Sequence, residues 1–162
     1  MSFLNATESE KKTDFEIHPK GEAQSVCVEV ITHKKDGTPW TKEKNGETKN
    51  RIILVFQTEK TREDGEGNKV NMVHWDWHNV PQSIANENST LHKRLKEWGV
   101  EIKDYNSKEE FEAAVVGRPA TLFFKHNTAD LKTYSNIVSC EVPDKDVEPF
   151  VARDYNAYND PF

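Results

Sequence analysis

The sequence predicts a mainly β domain of five strands, with a helical insert between the third and the fourth. Three observations predict it. Apolar and polar residues alternate over five short segments, as in strands with one buried face. Between the third and fourth segments the apolar spacing becomes helical. The connections carry Gly, Pro, Asn and Asp, the residues that make turns. At 162 residues the chain suits one domain with a modest core.

Taken in order, residues 1–14 show no sustained apolar period and read as a flexible arm, with nothing resembling a signal peptide. His18-Pro19-Lys20-Gly21 marks a turn. In 22–33, Val26, Val28 and Val30 alternate with Cys27, Glu29 and Ile31, which predicts a strand with one apolar face. Residues 34–50 read as a long polar loop that contains Trp40. The second strand, 51–58, sets Ile52, Leu54 and Phe56 against Ile53, Val55 and Gln57. A charged hairpin loop, 59–68, leads to the third strand, 69–80, with Val73, Trp75 and Trp77 on one face and Met72, His74 and Asp76 on the other. Ser89-Thr90 can cap a helix bearing Leu91, Leu95 and Trp98 that stops at Gly99. Ser107 opens a second helix through a capping box with Glu110, and Gly117 ends it. The fourth strand, 120–126, carries Leu122 and Phe124. The fifth, 132–142, sets Tyr134, Asn136, Val138 and Cys140 opposite Thr133, Ser135, Ile137 and Ser139. Three strands, a helical insert and two strands is the element order of the five-stranded OB-fold barrel. A split β-sandwich with a helical insert gives the same order. The domain is expected over 15–142, with Leu54, Phe56, Leu122 and Phe124 in its core.

The net charge of −6 is unevenly distributed. The stretch 141–162 sets Lys145 and Arg153 against Glu141, Asp144, Asp146, Glu148, Asp154 and Asp160, and 99–116 is also acidic. By contrast 34–50 and 117–140 each carry a small positive excess. Local charge governs attraction to phosphates, so a negative total does not exclude a polyanionic ligand. Cys27 and Cys140 fall in strands, as buried thiols or as a disulfide. No run is long and apolar enough for a membrane helix.

No catalytic constellation stands out, and neither an enzyme activity nor a cofactor is expected. There is no phosphate-binding glycine loop, CxxC pair or nucleophile elbow. His74 and His78 have helical ligand spacing but sit in a strand, about 13 Å apart, too far for one metal. Aromatic and cationic residues interleave instead. Single-strand binders combine cations that track the backbone with rings on which bases stack. The stacking candidates are Trp40, Trp75, Trp77 and Tyr134, and the phosphate candidates are Lys34, Lys35, Lys42, Lys44, Arg51, Lys125 and Lys132. Trp40, in a polar loop, is expected to be exposed. Trp75 and Trp77 share a face and fit either core or platform.

The stretch 143–162 reads as an acidic flexible tail that ends Asn159-Asp160-Pro161-Phe162. This tip resembles that of bacterial single-stranded DNA-binding proteins, and acidic tails ending in Phe also mark their phage counterparts. The body is similar to OB-fold proteins of phage replication modules in Leu91-His92-Lys93-Arg94-Leu95-Lys96-Glu97-Trp98, Gly117-Arg118-Pro119-Ala120, Lys125-His126 and Lys132-Thr133-Tyr134-Ser135-Asn136-Ile137. The resemblance implies a phage-type protein, acting in the cytoplasm of a bacterial host. It would coat and protect single-stranded DNA during replication or recombination, with RNA and homo-oligomer formation left open. Asp154, Tyr155, Tyr158, Asp160, Pro161 and Phe162 would recruit replication or recombination proteins. Two other readings stay open: a protein–protein adaptor of a phage replication module, and a small-ligand- or carbohydrate-binding β-domain.

Overall fold

The computed structural model describes residues 17–153. Over these residues it is mainly β, with six strands and two helices: β1 (Gly21–Ile31), β2 (Thr41–Lys44), β3 (Glu47–Glu63), β4 (Lys69–Asn79), α1 (Thr90–Glu97), α2 (Lys108–Val115), β5 (Pro119–Ala129) and β6 (Lys132–Glu141). All pairings are antiparallel. β1 lies between β3 and β5, and β6 follows on the far side of β5. β3 carries β4 along its other edge and β2 beside its first residues. No ladder joins β4 to β6 among the described residues, so these strands end the path. No described helix is long and apolar enough to cross a membrane.

The sixth strand arises where the sequence reads as loop. Asn45 (φ 53°) and Gly46 (φ 80°) form a two-residue turn that pairs β2 with the start of β3. Trp40 is tied in as well: its N–H donates to the Thr32 carbonyl (3.0 Å) and its carbonyl accepts from the Arg51 N–H (2.9 Å). The β5–β6 hairpin uses the same geometry at Asp130 (φ 52°) and Leu131 (φ 66°). A left-handed leucine costs roughly 1 kcal/mol.

The main core lies on one face of the sheet, under the helices. Cys27, Val30, Leu54, Phe56, Leu122 and Phe124 meet Leu91, Leu95, Trp98, Phe111 and Val115 there. Both predicted caps form: Ser89 Oγ accepts from the His92 N–H (3.0 Å) and Ser107 Oγ from the Glu110 N–H (3.1 Å). Trp98 is fully buried and donates from Nε1 to the Pro119 carbonyl (2.9 Å). Cys27 and Cys140 are buried free thiols. β1 departs from simple alternation. Its register passes from Cys27–Phe56 to Glu29–Val55, leaving Val28 as a bulge. Val26 therefore shares a face with Gln57, and Val30 turns to the opposite face with Leu54, so the three valines do not form one stripe.

Arg94 spans the gap between the terminal strands. Its Nε donates to Asp76 Oδ2 in β4 (2.9 Å) and its Nη2 to the Ile137 carbonyl in β6 (3.3 Å). Glu97 accepts from Arg94 Nη1 (2.5 Å) and from the Cys140 N–H (2.8 Å). His78 also binds Asp76 (2.8 Å) and reaches Thr90 (2.7 Å). Burial pushes the Asp76 carboxyl up, but the hydrogen bonds and charges of His78 and Arg94 outweigh it and hold it below its usual range. Arg94→Met leaves this buried carboxylate short of a partner and should cost about 3 kcal/mol in urea unfolding.

A second polar cluster anchors the chain ahead of β1. His18 stacks on Phe124 (centroids 3.7 Å apart, 19° between planes) and binds Thr58 Oγ1 (2.7 Å). His126 donates to the His18 carbonyl (2.7 Å), and His74 meets Phe124 edge-on. Burial is the main cause that lowers His18 and His74 from 6.5 to about 4. Both are therefore neutral in the fold where the unfolded chain takes up protons. Their stabilisation is complete above 6.5 and is lost as the pH falls towards 4. The urea midpoint should drop across that window, and His18→Gln with His74→Gln should flatten the drop. Asp76 contributes a separate loss only below about 3.8.

Candidate nucleic-acid interface

The sheet face opposite the helices carries a second apolar cluster. Ile31, Ile53, Val55, Val73 and Trp75 are buried in it, with Val28, Trp40 and Trp77 packed around them. Strand alternation delivers these residues. Ile53 pairs with Trp77 and Val55 with Trp75, so all four side chains share one face. Trp40 follows Ile31 across the connection and lies beside Arg51 in the sheet.

The three tryptophans contact one another. Trp40 stands edge-on to Trp77 (5.0 Å, 88°) and to Trp75 (6.4 Å, 86°), and Trp75 and Trp77 lie 5.7 Å apart at 51°. Trp75 is 6% exposed and serves as core, whereas Trp77 is half-buried. Trp40 is also half-buried. The expectation that it stands exposed in a loop is corrected, because the small outer cluster gives it an apolar surface to join. Lys34 Nζ lies 5.1 Å over the Trp40 ring and the Arg51 guanidinium 4.9 Å over the Trp77 ring. Trp40 Nε1 and Arg51 Nε are buried without a hydrogen-bond partner, in a fold where buried donors are normally satisfied.

The other predicted cations fall into two groups. Lys35 is exposed in the turn after β1, and Lys42 and Lys44 are exposed on β2. Lys42 lies opposite Lys49, which alternation places on the same face as Arg51. Two like charges directly opposed across a ladder repel, and Glu47 at 3.4 Å offsets only Lys49. Sequence reasoning does not single out Lys49, although its place two residues before Arg51 is the signal that finds it. Lys125, Lys132 and Tyr134 are also exposed, but on another strand pair, the β5–β6 hairpin. There they share one face by alternation. The structure thus joins Trp40, Trp75, Trp77, Lys34 and Arg51 in one patch, leaves Lys35, Lys42 and Lys44 exposed on the neighbouring turn and β2, and sets Lys125, Lys132 and Tyr134 on a separate ribbon.

Asp154, Tyr155, Tyr158, Asp160, Pro161 and Phe162 lie outside the described residues. The last described residue is held firmly. The Arg153 N–H donates to Gln57 Oε1 (2.7 Å), and Gln57 Nε2 donates to the Arg153 carbonyl (2.5 Å). Gln57 is buried and follows Ile53 and Val55 on the tryptophan-bearing face. Among the described residues no three His, Cys, Asp or Glu side chains gather as a metal site.

No protein-family model and no curated protein matches the chain.

The patch geometry ranks the tryptophans by accessibility. Trp40 and Trp77 should carry most of the emission that acrylamide quenches, with Trp75 and Trp98 shielded. Trp40→Phe with Trp77→Phe should lower the quenching constant at least about twofold, following the loss of the half-buried rings.

Proposed function

We propose that this chain is an OB-fold single-stranded DNA-binding protein of the phage type. In this reading it binds strands without sequence preference during replication or recombination and recruits partners through its C-terminal segment. It binds without catalysis or cofactor. The observation that carries the reading is the patch of three tryptophans overlaid by Lys34 and Arg51.

The topology supports it. With β2 counted within the first connection, β1, β3, β4, β5 and β6 are five long strands. Their pairing runs third, second, first, fourth, fifth, the order of an OB barrel opened between its third and fifth strands. OB domains bind oligonucleotides on the second and third strands and on the first and last inter-strand connections. Arg51, Trp75 and Trp77 lie on those strands. Lys34, Lys35, Trp40, Lys42 and Lys44 lie in the first such connection, and Lys125, Lys132 and Tyr134 flank the last.

The chemistry supports it too. Bases stacking on the accessible areas of Trp40 and Trp77 would contribute about 1–3 kcal/mol each. Lys34 and Arg51 can turn from the rings to phosphates, and phosphates would relieve the opposition of Lys42 and Lys49. Gln57 holds Arg153 on the same face, and in this reading the acidic residues of the C-terminal segment compete with DNA for the cations of the patch.

Titration of the tryptophan emission with oligo-dT should give strong quenching, and duplex DNA little. Affinity should fall at least about tenfold between about 50 and 200 mM salt. Removing residues 154–162 should tighten binding at the lower salt. Absence of quenching at both salts would refute the reading, and salt-independent quenching would favour a neutral ligand such as a carbohydrate.

A further inference from the structure

The tip of the β5–β6 ribbon carries a side chain that the fold does not use. Both two-residue hairpin turns among the described residues hold both of their residues at left-handed φ. The first uses Asn45-Gly46, the pair such turns favour. The second uses Asp130-Leu131. Aspartate tolerates the conformation, but in leucine the Cβ is forced against the following carbonyl. Leu131 is also 100% exposed, so no packing offsets that strain. Conformation and solvation both favour glycine or asparagine there, and the chain instead holds an apolar group outward.

The surroundings indicate what it is held towards. Lys125 pairs with Asn136, Asn127 with Tyr134 and Ala129 with Lys132, so two cations, a ring and two amides share one face below the tip. Cross-strand contacts tie the ribbon together. Asn136 Nδ2 donates to Asn127 Oδ1 (2.5 Å), and the Thr128 and Thr133 hydroxyls lie 3.4 Å apart. The exposed stretch 125–134 holds no other large aliphatic side chain. Protein-docking sites bury contiguous apolar patches, which this tip lacks. Nucleic acid makes a different demand. Lysines meet phosphates, a ring meets a base, and one apolar side chain is enough to separate a pair of stacked bases.

We propose that Leu131 is a wedge that enters the base stack of a bound strand and unstacks the neighbouring bases. The ligands that need it are strands with persistent stacking, such as purine runs and the junctions where duplex opens into single strand. The inference rests on the single-strand-binding reading above and adds an unstacking activity to it. The ribbon supplies the rigid support that a wedge requires, and the lysines hold the backbone on either side.

Two probes separate the inference from the reading on which it rests. Oligo-dT stacks weakly and reports binding alone. A strand carrying 2-aminopurine between adenines brightens when its stack is opened. Leu131→Gly and Leu131→Asn both suit the left-handed turn and should raise Tm by about 2–4 °C. Both should bind oligo-dT within about twofold of the parent, yet lose at least about half of the 2-aminopurine brightening at saturation. Leu131→Met should retain it. Equal brightening in the parent and both polar-turn variants would overturn the wedge while leaving strand binding intact. A lowered Tm in Leu131→Gly would show that the leucine serves the fold and would also overturn it. Self-association of the DNA-free parent that Leu131→Gly abolishes would assign the tip to a contact between copies instead. Failure of the parent to bind oligo-dT would remove the reading and the wedge together.

Discussion

One guanidinium connects the two ends of the strand path. Arg94 reaches Asp76 on β4 and the Ile137 carbonyl on β6, which no ladder joins. Its contribution is geometric more than energetic. A buried ion pair roughly breaks even against apolar side chains of the same size. A planar fork of donors, however, serves a carboxylate and a carbonyl from separate nitrogens in fixed directions, where a lysine offers one compact, rotating ammonium. Glu97, three residues further along α1, accepts the Cys140 N–H, so the same helix satisfies both polarities of the β6 edge. The helix is thereby fixed across the gap, and the main core closes beneath it around Leu91, Leu95 and Trp98.

Closing one face by helices leaves the other without a covering layer. The chain covers it with the largest side chains it has. Trp40, Trp75 and Trp77 shield Ile31, Ile53 and Val55 from water, and Trp40 and Trp77 remain partly accessible themselves. In the proposed reading, stability and recognition draw on the same rings: Trp75 belongs to the packing, and Trp40 and Trp77 would belong to both. The cations above the rings complete the same arrangement, because each finds a partner in the π-face beneath it.

The five long strands, both helix caps and the main core were legible because each depends on local pattern. Leu54, Phe56, Leu122 and Phe124 alternate cleanly, and Ser89 and Ser107 stand where a cap belongs. The β2 strand was not legible from hydrophobic period, since Thr41–Lys44 is wholly exposed and polar. Its signal was turn chemistry, the Asn45-Gly46 pair. The β1 bulge was hidden for a related reason: three valines at spacing two read as one face until an extra residue reverses it. At the candidate site the residue types were readable, but their grouping was not. Trp40 meets Trp77 only because β3 begins ahead of Arg51 and draws the preceding connection into the sheet. Arg94 lies unmarked within a basic helical stretch, because a bridge between two distant strands leaves no local trace.

The hold of Gln57 on Arg153 recognises peptide rather than side chain. A primary amide offers one donor and one acceptor in the same plane, as a backbone unit does, and both are used on the N–H and carbonyl of a single residue. Any residue except proline could occupy position 153 and make the same two bonds. The point of departure of the C-terminal segment is therefore decoupled from its composition. Substitutions after residue 153 can change the charge that follows while leaving the two bonds at Arg153 untouched. Loss of Gln57 alone would remove both bonds without altering a letter of that segment.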